Sequence, residues 1–333
     1  MSDILSEPSN GLLATRNAAH SSVAVFDVSD RTQIEIMGTD RARFLHSFTS
    51  NDIKRLKPGQ GCETFVTNLK GKVVAHVFVF CGEHSLWLDG TPGQQEALIG
   101  HLGKFLLIDD VQLIPRNTER GELLVTGPLA PQLLQLDDGL AVASHVTRGT
   151  GDESFDVRRV DLLGTPGFLL SIPRSRRDAV KFGLTSLGIA EGSRELFEML
   201  RIEAGYPRYG VDITEDNLAQ EVARTKQCIS FDKGCYLGQE TIARIDALGH
   251  TNQELRQMAF ESIDVPPAGS PVFDATGTNE VGVITSATND IGSTSGGRAT
   301  TLLALGLVKR IACPANTPVQ LRIGNQTATG RVL

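Results

Sequence analysis

Two apolar runs, GKVVAHVFVF (71–80) and SLWLDG (85–90), face each other across Gly82. Both are short, rich in Val, Phe and Leu, and bounded by turn residues, so they read as the two strands of a hairpin rather than as a core helix. Upstream, VAVFDV (23–28) and QIEIMG (33–38) read as strands. A helix follows from Thr39 or Asp40, with Phe44, Leu45 and Phe48 on one face. Downstream come a helix near 93–104, a strand LLIDDVQLI (106–114), a strand ELLVTG (122–127) and a short helix in PLAPQLLQL. Three more strands are expected at AVASHV (141–146), FDVRRV (155–160) and GFLLSI (167–172). Paired strands mixed with helices fit split βαβ, ferredoxin-like units better than a doubly wound parallel sheet.

Two helices end this region. One covers 176–188, stopping at Gly188; the other runs from an N-cap at Ser193 through ELFEMLRIEA to Gly205. From about residue 255 the helical period disappears. LRQMAFES, SPVFD, EVGVITSA, TLLALGLVKR, TPVQLRI and QTATGRVL are short strands separated by Gly, Pro, Asn and Thr, as in a small all-β barrel or sandwich. The expected fold class is therefore α+β. Two interleaved ferredoxin-like units occupy 1–250 (roughly 1–50 with 120–250, and 51–119), and an all-β unit occupies 251–333.

The 333 residues are 40% hydrophobic and 21% charged, with no apolar run long enough to span a bilayer. A net charge of −7 excludes a broad cationic surface of the kind that binds nucleic acid, while leaving room for a local basic pocket. The first residues, MSDILSEPSNG, lack the basic and apolar regions of a secretory signal, so a cytoplasmic protein is expected. Cys62, Cys81, Cys228, Cys235 and Cys313 are odd in number and scattered. Neither a disulfide framework nor a metal site is expected from that spacing.

Four stretches could carry chemistry. Glu203 shares a helix face with Leu196, Met199 and Leu200, and a carboxylate there needs a partner. That partner is either an arginine (Arg201, Arg208 or Arg244) or the N–H edge of a bound heterocycle. YPRYGVDI (206–213) offers Tyr206 and Tyr209 to wall a flat ligand and Arg208 to meet an anionic tail. NLKGK (68–72) places Lys70 at a turn where it could touch an anion. FDKGCYLGQE (231–240) sets Cys235 between two glycines, next to Lys233 and ahead of a helix expected at 239–244. A cation and a helix N-terminus both stabilise a thiolate, so Cys235 is the candidate reactive residue.

Together these stretches resemble a known family. KGCYLGQETIAR (233–244) resembles the K-G-C-Y-x-G-Q-E signature of YgfZ-type folate-binding proteins, relatives of the glycine-cleavage T-protein, an aminomethyltransferase. RFLHSFTSNDI (43–53), NLKGK (68–72) and LRIEAGYPRYGVDI (200–213) resemble further family segments in the same order, and the β-rich end resembles the family's C-terminal barrel. The resemblance implies tetrahydrofolate as cofactor, bound between the ferredoxin-like units and the barrel. It implies that Glu203 meets the pterin, that Tyr209 walls it, and that Arg244 supplies counter-charge. Glu221 and Lys70 would complete the folate site, and Cys235 would be the signature thiol. The implied role is help in iron–sulfur cluster assembly or repair, with client or assembly proteins as partners. A folate-dependent one-carbon transferase and a folate-free scaffold are the alternatives. Ala75 and His76 stand where the T-protein carries acidic residues, which removes its proton handler; such help is worth roughly 10²–10⁴-fold.

Overall fold

The computed structural model describes residues 7–136, 140–261, 263–290, 292, 294–295, 298–299 and 301–333. The chain begins with α1 (Glu7–Ser21), then forms β1 (Ala24–Asp27) and β2 (Thr32–Met37). Next come α2 (Arg41–His46), β3 (Gly61–Thr67), β4 (Val73–Cys81), β5 (Leu86–Gly90), α3 (Gln95–Gly103) and β6 (Gln112–Pro115). β2 to β6 make one antiparallel sheet, ordered β3-β4-β5-β2-β6. The expected hairpin is its centre. β4 is buried on both faces, which is why its sequence is an almost unbroken apolar run. Ala75, Val77, Val79 and Cys81 point towards α2 and α3, whereas Phe78 and Phe80 point the other way.

The second sheet takes β1 together with β7 (Arg120–Thr126), β8 (His145–Arg148), β9 (Phe155–Val160), β10 (Gly167–Pro173) and β11 (Ala190–Gly192). The short α4 (Ala130–Leu133) and α5 (Arg177–Ser186) sit between these strands. The sheet order is β11-β1-β7-β10-β9-β8, with β11 parallel to β1 and the other pairs antiparallel. Phe78 and Phe80 of the first sheet share a core with Phe26, Leu124 and Leu169 of the second and with Leu196 and Leu200 of α6 (Arg194–Glu203). A charged group lies at the same junction. Arg158 is fully buried, 3.2 Å from Glu122 on its own sheet and 3.5 Å from Asp89 on the other. Arg31, in the β1–β2 link, closes on Asp89 at 2.5 Å.

After α7 (Thr225–Cys228) and α8 (Gln239–Leu248) the chain enters a closed barrel, β12-β17-β14-β13-β18-β19. Its strands are β12 (Gln253–Glu261), β13 (Pro271–Asp274), β14 (Glu280–Asn289), β17 (Thr301–Lys309), β18 (Pro318–Ile323) and β19 (Gln326–Val332). β15 (Thr294–Ser295) and β16 (Arg298–Ala299) form a separate two-stranded ribbon. The expected α+β class with a C-terminal barrel is what the chain adopts.

Four details differ from expectation. β2 and α2 belong with residues 61–115, so the first crossing between units falls at 28–31 and not near residue 50. The strand expected over 106–114 is only β6, because β2 ends at Met37, opposite Gln112, and leaves residues 106–111 no strand to pair with. Similarly, the strand expected at 141–146 starts only at His145, because Ala143, although it bonds to Arg159 of β9, has a left-handed backbone (φ +64°) that interrupts the extended chain. Helix α1 was not expected. Its sequence carries no clear apolar stripe, and packing on β1, β11 and α6 supports it instead.

Candidate functional site

β3 and β4 pair with Phe65 opposite His76 and Glu63 opposite Phe78, so Glu63 and His76 are diagonal neighbours on one face. His76 Nε2 lies 2.6 Å from Glu63 Oε1. Arg224, just before α7, donates to the same carboxylate from Nε (2.6 Å) and Nη2 (2.5 Å). Burial pushes the Glu63 carboxyl up, but the hydrogen bonds and charges of His76 and Arg224 outweigh it and bring Glu63 down to about 2. Glu63 is therefore ionised wherever the protein is folded near neutrality.

Tyr206 covers this cluster. Its ring stacks on His76 at 5.7 Å, the Arg224 guanidinium lies 4.8 Å from the centre of the same ring, and its hydroxyl donates to Glu63 Oε1 at 3.4 Å. Cys228 completes the group, its Sγ 3.8 Å from His76 Nε2; burial pushes its thiol up, followed by the Glu63 charge.

Tyr206 also lines a cavity of about 330 Å³ between the two sheets and the start of α6. Phe26, Phe197 and Pro207 give it apolar walls. Six arginines line it (Arg31, Arg174, Arg177, Arg194, Arg201, Arg208) against three carboxylates, Asp27, Asp30 and Glu198. Ser193 and Arg194 bring the N-terminus of α6 to the same wall, and the Ser193 hydroxyl caps the helix by accepting from Leu196 N at 3.1 Å. An aromatic wall, an excess of guanidinium groups and a helix N-terminus suit a flat ligand with an anionic tail. Arg201 is held in place by Asp212 (2.6 Å) and Ser286 Oγ (2.8 Å), which ties this wall to the barrel.

The expected site residues separate into four places. Lys70, Glu221 and Arg244 do come together, along a second, more open groove of about 530 Å³ beside α8. Glu221 is engaged within its own turn, accepting from Leu218 N at 3.1 Å and Asn217 Nδ2 at 3.3 Å. Tyr209 packs with Phe65, Val73 and Tyr236 and donates to Val73 O at 3.3 Å; burial pushes its hydroxyl up to about 12.

Glu203 lies elsewhere. Its partners are none of the expected arginines but two side chains of the unexpected helix α1: Arg16 Nη2 at 2.8 Å and His20 Nε2 at 3.1 Å. The last turn of α6 turns its end towards α1, whereas Arg201, two residues earlier, turns inward to Asp212.

Cys235 is exposed, Cys62 is half-buried, and the other three cysteines are buried. The flanking signature residues hold its loop down. Lys233 turns inward, away from the role expected for it beside the thiol. Its ammonium donates to the carbonyls of Thr49, His46 (2.7 Å) and Asn51 (3.0 Å) and stands 4.4 Å over the Tyr236 ring. Burial brings Lys233 down to about 8. Gly238 has φ +86°, and a Cβ there would sit 2.4 Å from Asn68 O, so only glycine lets this loop touch the 68–71 turn.

The model of the GCVT N-terminal domain matches residues 9–233, which span both sheets and the cluster around Glu63. The chain belongs to the GCVT family. Curated relatives include aminomethyltransferases of Frankia alni (30% identical, covering 84% of this chain and 77% of that one) and Chlorobium chlorochromatii (25%, covering 84% and 78%). Among solved structures, the glycine cleavage system aminomethyltransferase T of Bartonella henselae superposes with a TM-score of 0.84 at 21% identity, over 96% of this chain and 88% of that one. That likeness extends the GCVT architecture to the barrel.

Sequence reasoning missed Glu63, Tyr206 as a cluster member, Arg224 and Cys228. The available signal was parity: on β3 and β4, a Glu and a His placed on one face of otherwise apolar strands must answer to each other.

Proposed function

We propose that this GCVT-family chain binds a tetrahydrofolate and serves, through the exposed Cys235, in assembly or repair of iron–sulfur proteins in the cytoplasm. The observation that carries the folate reading is the cavity beneath Tyr206, which joins aromatic walls to an arginine excess at a helix N-terminus. The pterin and aminobenzoyl rings suit the walls, and the glutamate carboxylates suit the arginines. The YgfZ-type signature at 233–244 supports the iron–sulfur role, as does a loop whose other residues are tied down while its thiol meets solvent.

A second reading is a folate-dependent one-carbon transferase. Relatives named aminomethyltransferase favour it, and so does the ionised Glu63 beside His76, a carboxylate in the region where sequence reading found only Ala75 and His76.

Anaerobic calorimetric titration with tetrahydrofolate tests the shared premise. Micromolar binding, about −8 kcal/mol, is expected for the intact protein. Arg208→Ala and Arg194→Ala should each weaken it at least tenfold. Loss of binding in Glu203→Gln alone would move the pterin to the end of α6, and no heat at all would leave the folate-free scaffold. With folate bound, loss of client activity in Cys235→Ser supports the first reading, and loss of amine-dependent one-carbon transfer in Glu63→Gln supports the second.

A further inference from the structure

Glu63, His76 and Cys228 reach one point from β3, β4 and α7, with His76 and Cys228 152 positions apart in the chain. All three are buried, and one ligand atom from each lies within 4.8 Å of the others. The carboxylate and the thiol both approach the same ring nitrogen, Nε2, at 2.6 and 3.8 Å. A proton relay would need them on opposite nitrogens, so the trio does not form a nucleophile–base–acid chain. Instead an oxygen, a nitrogen and a sulfur converge, a donor set suited to a borderline-soft divalent ion rather than to magnesium or calcium. With bonds of ordinary length, tetrahedral ligation needs N–S and N–O separations of roughly 3.6 and 3.3 Å. The sulfur stands near its place already, and the carboxylate must withdraw by under ~1 Å.

Arg224 now supplies the positive charge that Glu63 requires. It keeps about a fifth of its side chain in solvent (21%), so a route outward exists. We propose that Glu63, His76 and Cys228 form a site for one zinc or iron(II) ion, and that this ion and the Arg224 guanidinium compete for Glu63. Binding releases the Cys228 proton, and the hydrogen that His76 Nε2 shares with Glu63 moves to Nδ1, freeing the Nε2 lone pair for the ion. The carboxylate and the thiolate then balance the two charges of the ion, and Arg224 turns towards solvent. Neither folate reading is needed for this.

The test uses full-length protein carrying Cys235→Ser, which removes the exposed thiol as a rival ligand, under reducing, anaerobic conditions. Cobalt(II) should give a sulfur-to-metal charge-transfer band that saturates at one equivalent and is displaced by zinc. The band should vanish in Cys228→Ala, and affinity should fall at least tenfold in His76→Ala. Arg224→Gln should bind zinc at least tenfold more tightly, with a zinc-dependent rise in Tm, a readout that survives if the buried variants fail to fold. No band in the starting protein, a band that persists in Cys228→Ala, or zinc binding no tighter in Arg224→Gln would each overturn the site.

Discussion

Arg224 closes on Glu63 through two parallel hydrogen bonds, 2.6 and 2.5 Å long, joining the segment before α7 to the edge strand β3. Removing the guanidinium leaves a buried carboxylate with His76 and a distant tyrosine hydroxyl. Arg224→Ala is expected to lower stability by about 2–3 kcal/mol, less than a fully buried pair because Arg224 is partly solvated. Glu63→Gln with Arg224→Ala should cost less than the sum of the two single changes, and a double-mutant cycle by urea denaturation measures the difference.

The junction of the sheets makes a different demand. Burial, and then the neighbouring Asp89, hold the Glu122 carboxyl well above the usual range, while Arg31 meets Asp89 directly. A carboxyl that favours its proton tolerates an amide, so Glu122→Gln should cost under ~1 kcal/mol, and Asp89→Asn about 2–4 kcal/mol because it leaves the buried Arg31 with only Glu122, 3.7 Å away. Equal losses in thermal melts would show that the two acids share their charge evenly.

Acid stability should depend on His46. Burial and then the Lys233 ammonium bring His46 down to about 4 from 6.5. The folded protein keeps the ring neutral while the unfolded chain takes up a proton below 6.5. This contribution is therefore intact above pH 6.5 and lost as pH falls towards 4, on the order of 1–2 kcal/mol by pH 5. His46→Gln should flatten the fall in urea midpoint between pH 7 and 5; an unchanged slope assigns it to other groups.

Thiol chemistry should separate the cysteines. In the native protein iodoacetamide is expected to modify Cys235 first and Cys62 slowly, with Cys81, Cys228 and Cys313 reacting only in denaturant. Peptide mass spectrometry over time reads the order, and early modification of Cys228 would contradict its burial.

The Arg16–Glu203 pair keeps 16% and 27% of its two side chains in solvent, so Arg16→Ala should cost no more than ~1 kcal/mol. Its check is a melt in low and high salt: the difference between wild type and variant should shrink as salt rises.

Much of the architecture was legible along the chain because its causes are local. The apolar run of 71–80, the caps at Ser193 and Gly205, and the turn-rich strands after 255 each depend on neighbours a few positions away. The signature at 233–244 and the segment 200–213 were equally legible as motifs. Lys70, Glu221 and Arg244 line one groove, apart from Glu203 and Tyr209. Helix α1 was not legible, since its stability comes from the surfaces it packs on.

What the sequence by itself determined is the order and kind of the elements and the exposed cysteine turn, since backbone propensity and hydrophobic period act over a few residues. Only the tertiary structure decided which charges meet. It turned Lys233 inward, gave Glu203 to Arg16, and set Glu63 and His76 against Arg224 and Cys228. Those pairings are fixed by strand register and by loops closing across more than a hundred residues, where a buried charge must find its partner in space.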